Sequence, residues 1–321
     1  MTMLSNLDAV CGTATIIKEM SFFAATISIL LFILTVPING IVFFAIMKYR
    51  HMLHRSFYLV IANIAAADLC AGVVANIFSL SFHIKEGMEQ YISTDEIKAM
   101  HYTFFAFNGV SVLSMTVLSL DRLGVLLNPF YYYNKMTKRR TILLLLFTWG
   151  LSSGLAGAYF RLGYIRYLAI FSFTTIVLTM VVMVTTMALF KRRLTESEKA
   201  AVENNTGSAD LNTANKSRQR TLHNFTQMDK RVTTTFLWML VLFLVNYLPV
   251  LLVVLYMNLC EHCSCEFIHV SRDLVFLSIL SSGLFRAINF IVRLTALREA
   301  VKSMLKIRQK QETVGYDINC V

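Results

Sequence analysis

Proline and charged side chains are scarce in this chain, and their scarcity limits the kinds of protein that it can be. The chain has three prolines in 321 residues, and 15% of its residues are charged against 56% that are hydrophobic. A water-soluble chain of this length would be expected to form about two domains. So little charge, together with 24 phenylalanines, instead predicts a chain that is solvated by lipid.

Seven apolar stretches are each long enough to cross a hydrocarbon core of ~30 Å as a helix. They lie at about residues 22–47, 57–83, 99–123, 142–160, 164–190, 232–257 and 270–292. Lipid requires each segment to satisfy its own backbone hydrogen bonds, so we expect an all-α membrane protein, a seven-transmembrane helix bundle over 22–292. Residues 161–166 alone join the fourth and fifth stretches, which predicts a very tight turn. Residues 1–21 lack a cleavable leader, so we expect the first stretch to act as a signal anchor.

Lysine and arginine are distributed unevenly between the two ends of these stretches. The segments that would face one side hold 23 of the 30 basic residues, the opposite segments hold six, and Arg286 lies within the seventh stretch. The positive-inside rule then predicts an extracellular N-terminal tail (1–21) and a cytoplasmic tail (293–321). The net charge of +11 would face anionic membrane lipid and cytosolic partners, so nucleic acid is a poor expectation. We expect a multi-pass protein of the plasma membrane.

The segment at residues 194–230 has a different composition from the stretches around it. It is rich in asparagine, threonine, serine and charged residues and has almost no aromatic side chains. Such a segment cannot bury enough apolar surface to fold alone. We therefore predict a disordered third cytoplasmic loop.

Short motifs occur at fixed places in the stretches. The second reads Asn63-Ile-Ala-Ala-Ala-Asp68-Leu, the third ends in Leu-Asp121-Arg122-Leu, the fourth contains Trp149 and the sixth contains Asn-Tyr-Leu-Pro249. Each motif alone is common, but their order over residues 35–305 resembles the rhodopsin-like (class A) G-protein-coupled receptors. The resemblance implies a receptor that converts binding of an extracellular ligand into activation of a heterotrimeric G protein. It implies no enzymatic activity and no cofactor.

The seventh stretch departs most from the family, whose motif there is Asn-Pro-x-x-Tyr. A motif that begins at Asn289 keeps the asparagine but puts Arg293 where tyrosine belongs. A motif that begins at Arg286 replaces asparagine, proline and tyrosine by Arg286, Ala287 and Phe290. We favour the second register, because the residues that follow resemble the family's short amphipathic eighth helix. That helix would turn its apolar face toward lipid, with Leu297 and Val301 on it.

Asp68 and Arg286 are the only charged residues in the interiors of the predicted stretches. An isolated ion in lipid costs from about 3 to more than 10 kcal/mol, so buried charges tend to pair. In the family, the matching acid and a nearby serine, here Ser111, help to hold a sodium ion in the inactive state. The favoured register places Arg286 level with Asp68, where its guanidinium would replace that sodium. The alternative is that Arg286 snorkels toward the inner headgroups.

The end of the third stretch is the expected coupling site. By resemblance, Arg122 is held by Asp121 and by an acid at the base of the sixth stretch, a role for which Asp229 is suitably placed. Release of Arg122 would let it meet a G protein as the sixth stretch swings outward, and Pro249 permits the required kink. The resemblance adds two aromatic residues to this switch, Phe243 and Phe290. Because Phe290 stands in place of tyrosine, a silent or constitutively active receptor is an alternative.

The cysteines suggest a branch of the family. Most members tie the third span to the second outer loop, but the matching position here is Ile97, and residues 161–166 contain no cysteine. With the tight turn, this pattern resembles the melanocortin receptors and the related lipid, cannabinoid and adenosine receptors. The resemblance implies outer disulfides, of which we favour Cys260–Cys265 and Cys11–Cys263, although four cysteines allow three pairings. A zinc site that uses His262 is the alternative.

The ligand is not that of the melanocortin receptors, whose calcium-binding acids are replaced here. Nor does the third span offer an aspartate for an amine, since Phe104 stands at that position. The remaining side chains predict an aromatic cavity for an apolar, lipid-like or otherwise uncharged small ligand, although phenylalanines at helical spacing are also common in packing. The candidate cavity residues are Phe78, Phe82, His101, Phe104, Phe105, Asn108, Tyr247, Leu251 and Phe276.

Two other classes of membrane protein fit less well. A transporter or channel usually shows internal repeats or several intramembrane charges, which this sequence lacks. An intramembrane hydrolase needs clustered histidine, aspartate or serine at metal-ligand spacing, and the seven histidines lie in loops or near the ends of the stretches. The receptor is therefore the favoured interpretation.

Overall fold

Seven long helices make up most of the protein. A computed structural model describes residues 15–127, 132, 135–206, 213–260 and 263–305, and within these no strand occurs. The membrane-spanning helices are α1 (Thr15–Lys48), α2 (Ser56–Gly87), α3 (Thr94–Val125), α4 (Lys138–Leu162), α5 (Tyr164–Arg192), α6 (Leu237–Leu259) and α7 (Glu266–Arg293). The predicted all-α, seven-transmembrane fold is confirmed.

Serine and threonine side chains define where three of these helices begin. The Ser93 hydroxyl accepts a hydrogen bond from the Glu96 amide, and the Glu96 carboxylate accepts one from the Ser93 amide, both at 3.2 Å. This reciprocal capping box starts α3 five residues before the predicted apolar stretch. Thr137 caps α4 and Ser264 caps α7 in a similar way. These three helices are longer than the apolar stretches because polar caps, not lipid, set where they begin.

The turn between α4 and α5 is even tighter than the sequence predicts. Gly163 alone separates the two spans, and its φ of +74° is a conformation that residues with a Cβ rarely adopt. α5 also contains a π-helical turn at Ser172–Ile176, so its backbone is irregular although it has no proline.

The helices form a ring around α3. α1 packs against α2 and α7, α6 lies between α5 and α7, and α3 contacts α2, α4 and α5. In the most apolar window of each helix, 72% of α3 residues are buried but only 28% of α4 residues. α3 is therefore the central helix, and α4 is the most lipid-exposed.

Residues 194–230, the predicted third cytoplasmic loop, are helical wherever the structure describes them. The helix that contains α5 continues to Thr206, and the helix that contains α6 begins at Thr213, so residues 194–206 and 213–230 are helical. Once a membrane span has nucleated a helix, each added residue costs little. Residues such as Glu198, Lys199 and Ala200 favour helix, and Arg192 pairs with Glu196 one turn away.

An eighth helix follows α7 at residues 295–305, after a break at Leu294. Its charged residues Arg298 and Lys302 are exposed. However, Leu297 and Val301 are buried in the protein core, so the expectation that they face lipid is wrong. The break lets the short helix fold back against the bundle, which buries its apolar face there instead.

Candidate functional site

A buried ion pair joins α2 to α7 in the middle of the bundle. The Arg286 guanidinium donates two hydrogen bonds to Asp68, from Nη2 to Oδ1 at 2.7 Å and from Nε to Oδ2 at 3.2 Å. Asp68 is 2% exposed and Arg286 is 5% exposed. This bidentate geometry is the strongest that arginine and carboxylate form, and it leaves neither charge alone in a low-dielectric interior. Snorkelling of Arg286 to the headgroups is not what the structure shows.

The remaining donor of Arg286 extends the network to α6. Nη1 donates to Ser282 Oγ at 2.8 Å and to the Tyr247 hydroxyl at 3.2 Å. Tyr247 in turn stacks on Phe243, with ring centroids 4.5 Å apart. α2, α6 and α7 are thus joined through one arginine. Ser111, which we expected beside the pair, is buried, and its hydroxyl has no hydrogen-bond partner among the described residues.

α7 approaches α2 closely at this pair because Gly283 has no side chain. A Cβ added to Gly283 would lie 3.1 Å from Asp68 Cγ, closer than most Cβ contacts. A void of about 10 Å³, roughly the size of one water molecule, lies beside it and is lined by Asp68, Asn108 and Gly283 among others. Arg286 therefore supplies the hydrogen bonds and the positive charge that the Asp68 carboxylate requires, in place of a large hydrated cavity.

At the C-terminal end of α3, the Asp121 carboxylate accepts hydrogen bonds from three side chains. Its Oδ2 accepts a 2.9 Å hydrogen bond from Arg122 Nε, and its Oδ1 accepts one of 2.5 Å from Ser56, the first residue of α2. The Tyr132 hydroxyl also donates to Oδ1. Burial, together with the hydrogen bond to Asp121, raises the pKa of the Tyr132 phenol, so it remains a donor at neutral pH. The Arg122 guanidinium lies over the Phe57 ring, 4.2 Å from its centroid. Arg122 is thereby held against the bundle.

The structure describes the other residues predicted for the switch only in part. Phe290 is fully buried, and Pro249 lies inside the α6 helix. Asp229 lies before α6, in the longer helix that begins at Thr213. Its side chain is outside the described residues, so its pairing with Arg122 stays a prediction.

Most residues of the predicted aromatic cavity pack against one another. Phe104 stacks on Phe276 at 4.2 Å between centroids, and Phe105 packs edge-on against Tyr167 at 4.6 Å. His101 Nδ1 lies 2.8 Å from the Tyr159 hydroxyl. Phe78 is 40% exposed on the outside of the bundle. The rings fill the space that we expected a ligand to fill.

A cavity of about 540 Å³ lies between the α4–α5 turn and the adjoining ends of α3, α6 and α7. Of the candidate cavity residues from the sequence, none lines it. Four of its described lining residues are cationic and none is a carboxylate; the cations are Lys98, Arg161, Arg166 and Arg272. Apolar side chains such as Ile97, Phe160 and Met257 line the rest. The candidate residues lie elsewhere in the bundle, so their role in binding a ligand stays a prediction.

A second cluster of buried charge lies beside this cavity, and sequence reasoning missed it. Arg272 donates to both oxygens of Glu86 at 3.0 and 3.1 Å and to Asp273 Oδ1 at 2.9 Å. Two histidines, His83 and His269, adjoin the same carboxylates. Glu86 lies beyond the predicted second stretch, which ends at residue 83, but α2 extends to Gly87 and leaves its side chain only 12% exposed. The i, i+3 spacing of His83 with Glu86 and of His269 with Arg272 was the available signal.

The outer cysteines pair differently from the expectation. Cys260 is bonded to Cys263, so the favoured Cys260–Cys265 and Cys11–Cys263 pairings are wrong. The turn between α6 and α7 brings the nearer cysteine into range, with the two Cα atoms 5.6 Å apart. Cys11, His262 and the side chain of Cys265 lie outside the described residues.

Comparison with known proteins supports the class that the helices suggest. Residues 38–163 match the family described as 7 transmembrane receptor (rhodopsin family). The chain is 30% identical over 118 residues to Dopamine receptor 2 of Drosophila melanogaster. This aligned segment covers 37% of this chain and 22% of that protein. The chain is 27% identical over 125 residues to the D(1B) dopamine receptor of Xenopus laevis, and this aligned segment covers 36% of the chain and 24% of that protein. The chain thus matches less than a quarter of the length of each relative.

The matched region and the fold are consistent with each other. Residues 38–163 are similar to the rhodopsin family of seven-transmembrane receptors, and seven helices of the described chain are long and apolar enough to cross a membrane. The melanocortin-like branch stays a prediction.

Proposed function

We propose that the protein is a plasma-membrane receptor that converts binding of an extracellular ligand into activation of a heterotrimeric G protein. The observation that carries this proposal is the restrained Arg122 at the end of α3, held by Asp121 together with the start of α2 and Tyr132. The excess of basic residues at the same end of the bundle supports a cytosolic location for it.

The geometry provides a two-state element for such a signal. In the described state, Asp121 neutralises Arg122 and ties it to α2. A G protein would gain a free guanidinium only when this contact opens and α6 moves away. Pro249 removes one backbone hydrogen bond from α6, so the helix can bend there at modest cost. Movement of α6 would also strain its Tyr247 contact with Arg286, which couples the switch to the buried pair.

We further propose that the ligand carries an acidic group on an apolar body and that it binds in the 540 Å³ cavity. Arg272 is already paired with Glu86 and Asp273, but Lys98, Arg161 and Arg166, with no carboxylate among the described lining residues, favour an anion there, and the apolar walls favour a hydrophobic remainder. This differs from the uncharged ligand expected from the sequence. Dopamine, the ligand in the relatives' names, is not proposed, because Phe104 occupies the position expected for an amine-binding aspartate.

A ligand screen with a G-protein biosensor tests this function. We expect acidic lipids, such as fatty acids and lysophospholipids, to raise G-protein turnover in cells that express the protein. Arg122→Ala should abolish the response at equal surface expression, whereas Arg139→Ala, which removes an exposed arginine of the same cytosolic end, should retain most of it.

The same assay separates the ligand proposal from the receptor proposal. Arg166→Ala should weaken the potency of an acidic ligand without lowering the maximal response. Asp121→Asn should raise ligand-independent turnover, because it weakens the restraint on Arg122. If Arg122→Ala signals as the wild type does, the coupling proposal fails. If only neutral or cationic ligands act, the receptor stands and the proposed ligand class fails.

A further inference from the structure

Three potential metal ligands from two helices meet at the outer ends of α2 and α7. They are His83 and Glu86 of α2 and Asp273 of α7, and one ligand atom of each lies within 4.8 Å of the others. His83 Nδ1 lies 3.8 Å from Glu86 Oε2 and 4.0 Å from Asp273 Oδ2. No sequence motif joins these residues, since 187 positions separate Glu86 from Asp273.

The salt bridge of Arg272 engages both oxygens of Glu86 but only one oxygen of Asp273. Arg272 donates to Asp273 Oδ1, whereas Oδ2 is the oxygen that faces His83. His83 is 2% exposed, and its Nδ1 has no hydrogen-bond partner among the described groups. His269 Nδ1, 3.3 Å from Glu86 Oε1, is likewise buried without a hydrogen bond. Two imidazole nitrogens thus lie 3.3 to 4.0 Å from the carboxylates without a well-formed hydrogen bond.

The charge of the cluster also calls for a cation. Two carboxylates face a single guanidinium, so one negative charge remains when both histidines are neutral. A buried charge without compensation is costly. A proton on His83 could supply the missing charge, but a protonated ring would be expected to close to about 2.8 Å on an oxygen.

The distances fit a shared metal ion better than a hydrogen bond. Ligands bound at 2.0–2.2 Å around a tetrahedral zinc ion lie roughly 3.4 Å apart. The separations of 3.8 and 4.0 Å are close to this value and beyond hydrogen-bond range. Imidazole nitrogen combined with carboxylate oxygen suits Zn²⁺, whereas Ca²⁺ takes oxygen ligands alone.

We propose that His83, Glu86 and Asp273 form a Zn²⁺ site that bridges α2 and α7, with His269 as the candidate fourth ligand. Supporting contacts of the kind found around protein-bound zinc are present: Arg272 orients Asp273, and Ser21 donates to Glu86 Oε2 at 2.6 Å. His269 and Arg272 also line the 540 Å³ cavity, which provides a path for the ion from solvent. A bound ion would fix the spacing of α2 and α7 at the outer end.

Zinc binding can be measured without any signalling assay. The full-length protein, purified without a histidine tag and stripped with EDTA, would be heated with Zn²⁺ alone or with Mg²⁺ as a control. At about 100 times the dissociation constant, Zn²⁺ should raise Tm by roughly 5 °C. Equilibrium dialysis should find one Zn²⁺ per chain.

Matched variants assign the ion to this cluster. His83→Ala should lose the Tm rise, and His83→Cys should retain it because a thiolate also ligates zinc. His54→Ala, which removes an exposed histidine elsewhere, should leave the rise unchanged. Asp273→Asn is the second variant if His83→Ala does not fold. An equal Zn²⁺ response in these ligand variants, no response in the wild type, or a stability that follows only pH would each overturn the site.

Discussion

At the scale of single residues, Arg286 has the largest consequences. It neutralises Asp68 and shares its remaining donor between Ser282 and Tyr247, so one side chain links three helices. Such a pair adds little net stability compared with an apolar replacement, because both charges lose their hydration. Its larger effect is felt when one partner is removed and the other is left charged in the interior.

We expect Arg286→Ala to destabilise the protein by about 3–5 kcal/mol, because Asp68 is left as an unpaired buried charge. Surface expression and the Tm of the purified protein would both fall. Phe285→Ala, which truncates an exposed neighbour on the same helix, is the matched control and should have a much smaller effect. Adding Asp68→Asn to Arg286→Ala should restore part of the loss. Equal losses for the two single variants would contradict the importance of the pair.

The same pair predicts the response to sodium. Because Arg286 occupies both oxygens of Asp68, replacing sodium chloride by choline chloride should leave the Tm of the wild-type protein unchanged. Arg286→Ala frees the carboxylate, and its Tm should then rise with sodium. Parallel melting curves in the two salts measure this. A sodium-dependent wild type would show that the arginine does not replace the ion.

At the scale of the elements, the membrane thickness sets the length of the apolar stretches, whereas capping and turn residues set where the helices begin and end. Ser93 and Glu96 start α3, and Gly163 both ends α4 and begins α5. These positions determine how far each helix extends beyond the apolar stretch.

We predict that Gly163→Ala lowers stability by roughly 1–2 kcal/mol, because a φ of +74° strains a residue that has a Cβ. Gly157→Ala is a good control, since a Cβ there would meet nothing within 4 Å and the residue is helical. That control should be neutral or slightly stabilising. Thermal melting of both variants, side by side, checks the difference. Equal melting temperatures would mean that the turn tolerates a side chain.

At the scale of the whole molecule, orientation in the membrane decides which end receives and which end transmits. The distribution of lysine and arginine predicts an extracellular N-terminus and a cytoplasmic C-terminus. On that orientation the 540 Å³ cavity opens outward, and Arg122 faces the cytosol.

An epitope tag at each terminus tests the orientation. We expect antibody to label an N-terminal tag on intact cells and a C-terminal tag only after the cells are permeabilised. The three Asn-X-Ser/Thr sites at Asn204, Asn215 and Asn224 should carry no sugar, because they would be cytosolic. Sugar on any of them, or the opposite labelling, would invert the proposed topology.

Much of the fold could be predicted from the sequence because each span must satisfy lipid by itself. Hydrophobic length predicts the seven helices, and the cost of an isolated intramembrane charge, with the favoured register, predicts that Arg286 pairs with Asp68, with snorkelling as the alternative. The short turn was visible in the same way. Each of these features depends on the sequence of one segment, or on the single pair of Asp68 and Arg286.

The remaining features depend on how the helices tilt and pack, which no single segment contains. The pairing of Cys260 with Cys263, the position of the cavity and the packing of Leu297 against the bundle all follow from offsets of a few ångströms between elements. The sequence by itself thus determined seven spans, their charge asymmetry and the residues of the buried pair. Only the tertiary structure brought His83, Glu86 and Asp273 together, because contact across 187 positions is decided by helix packing.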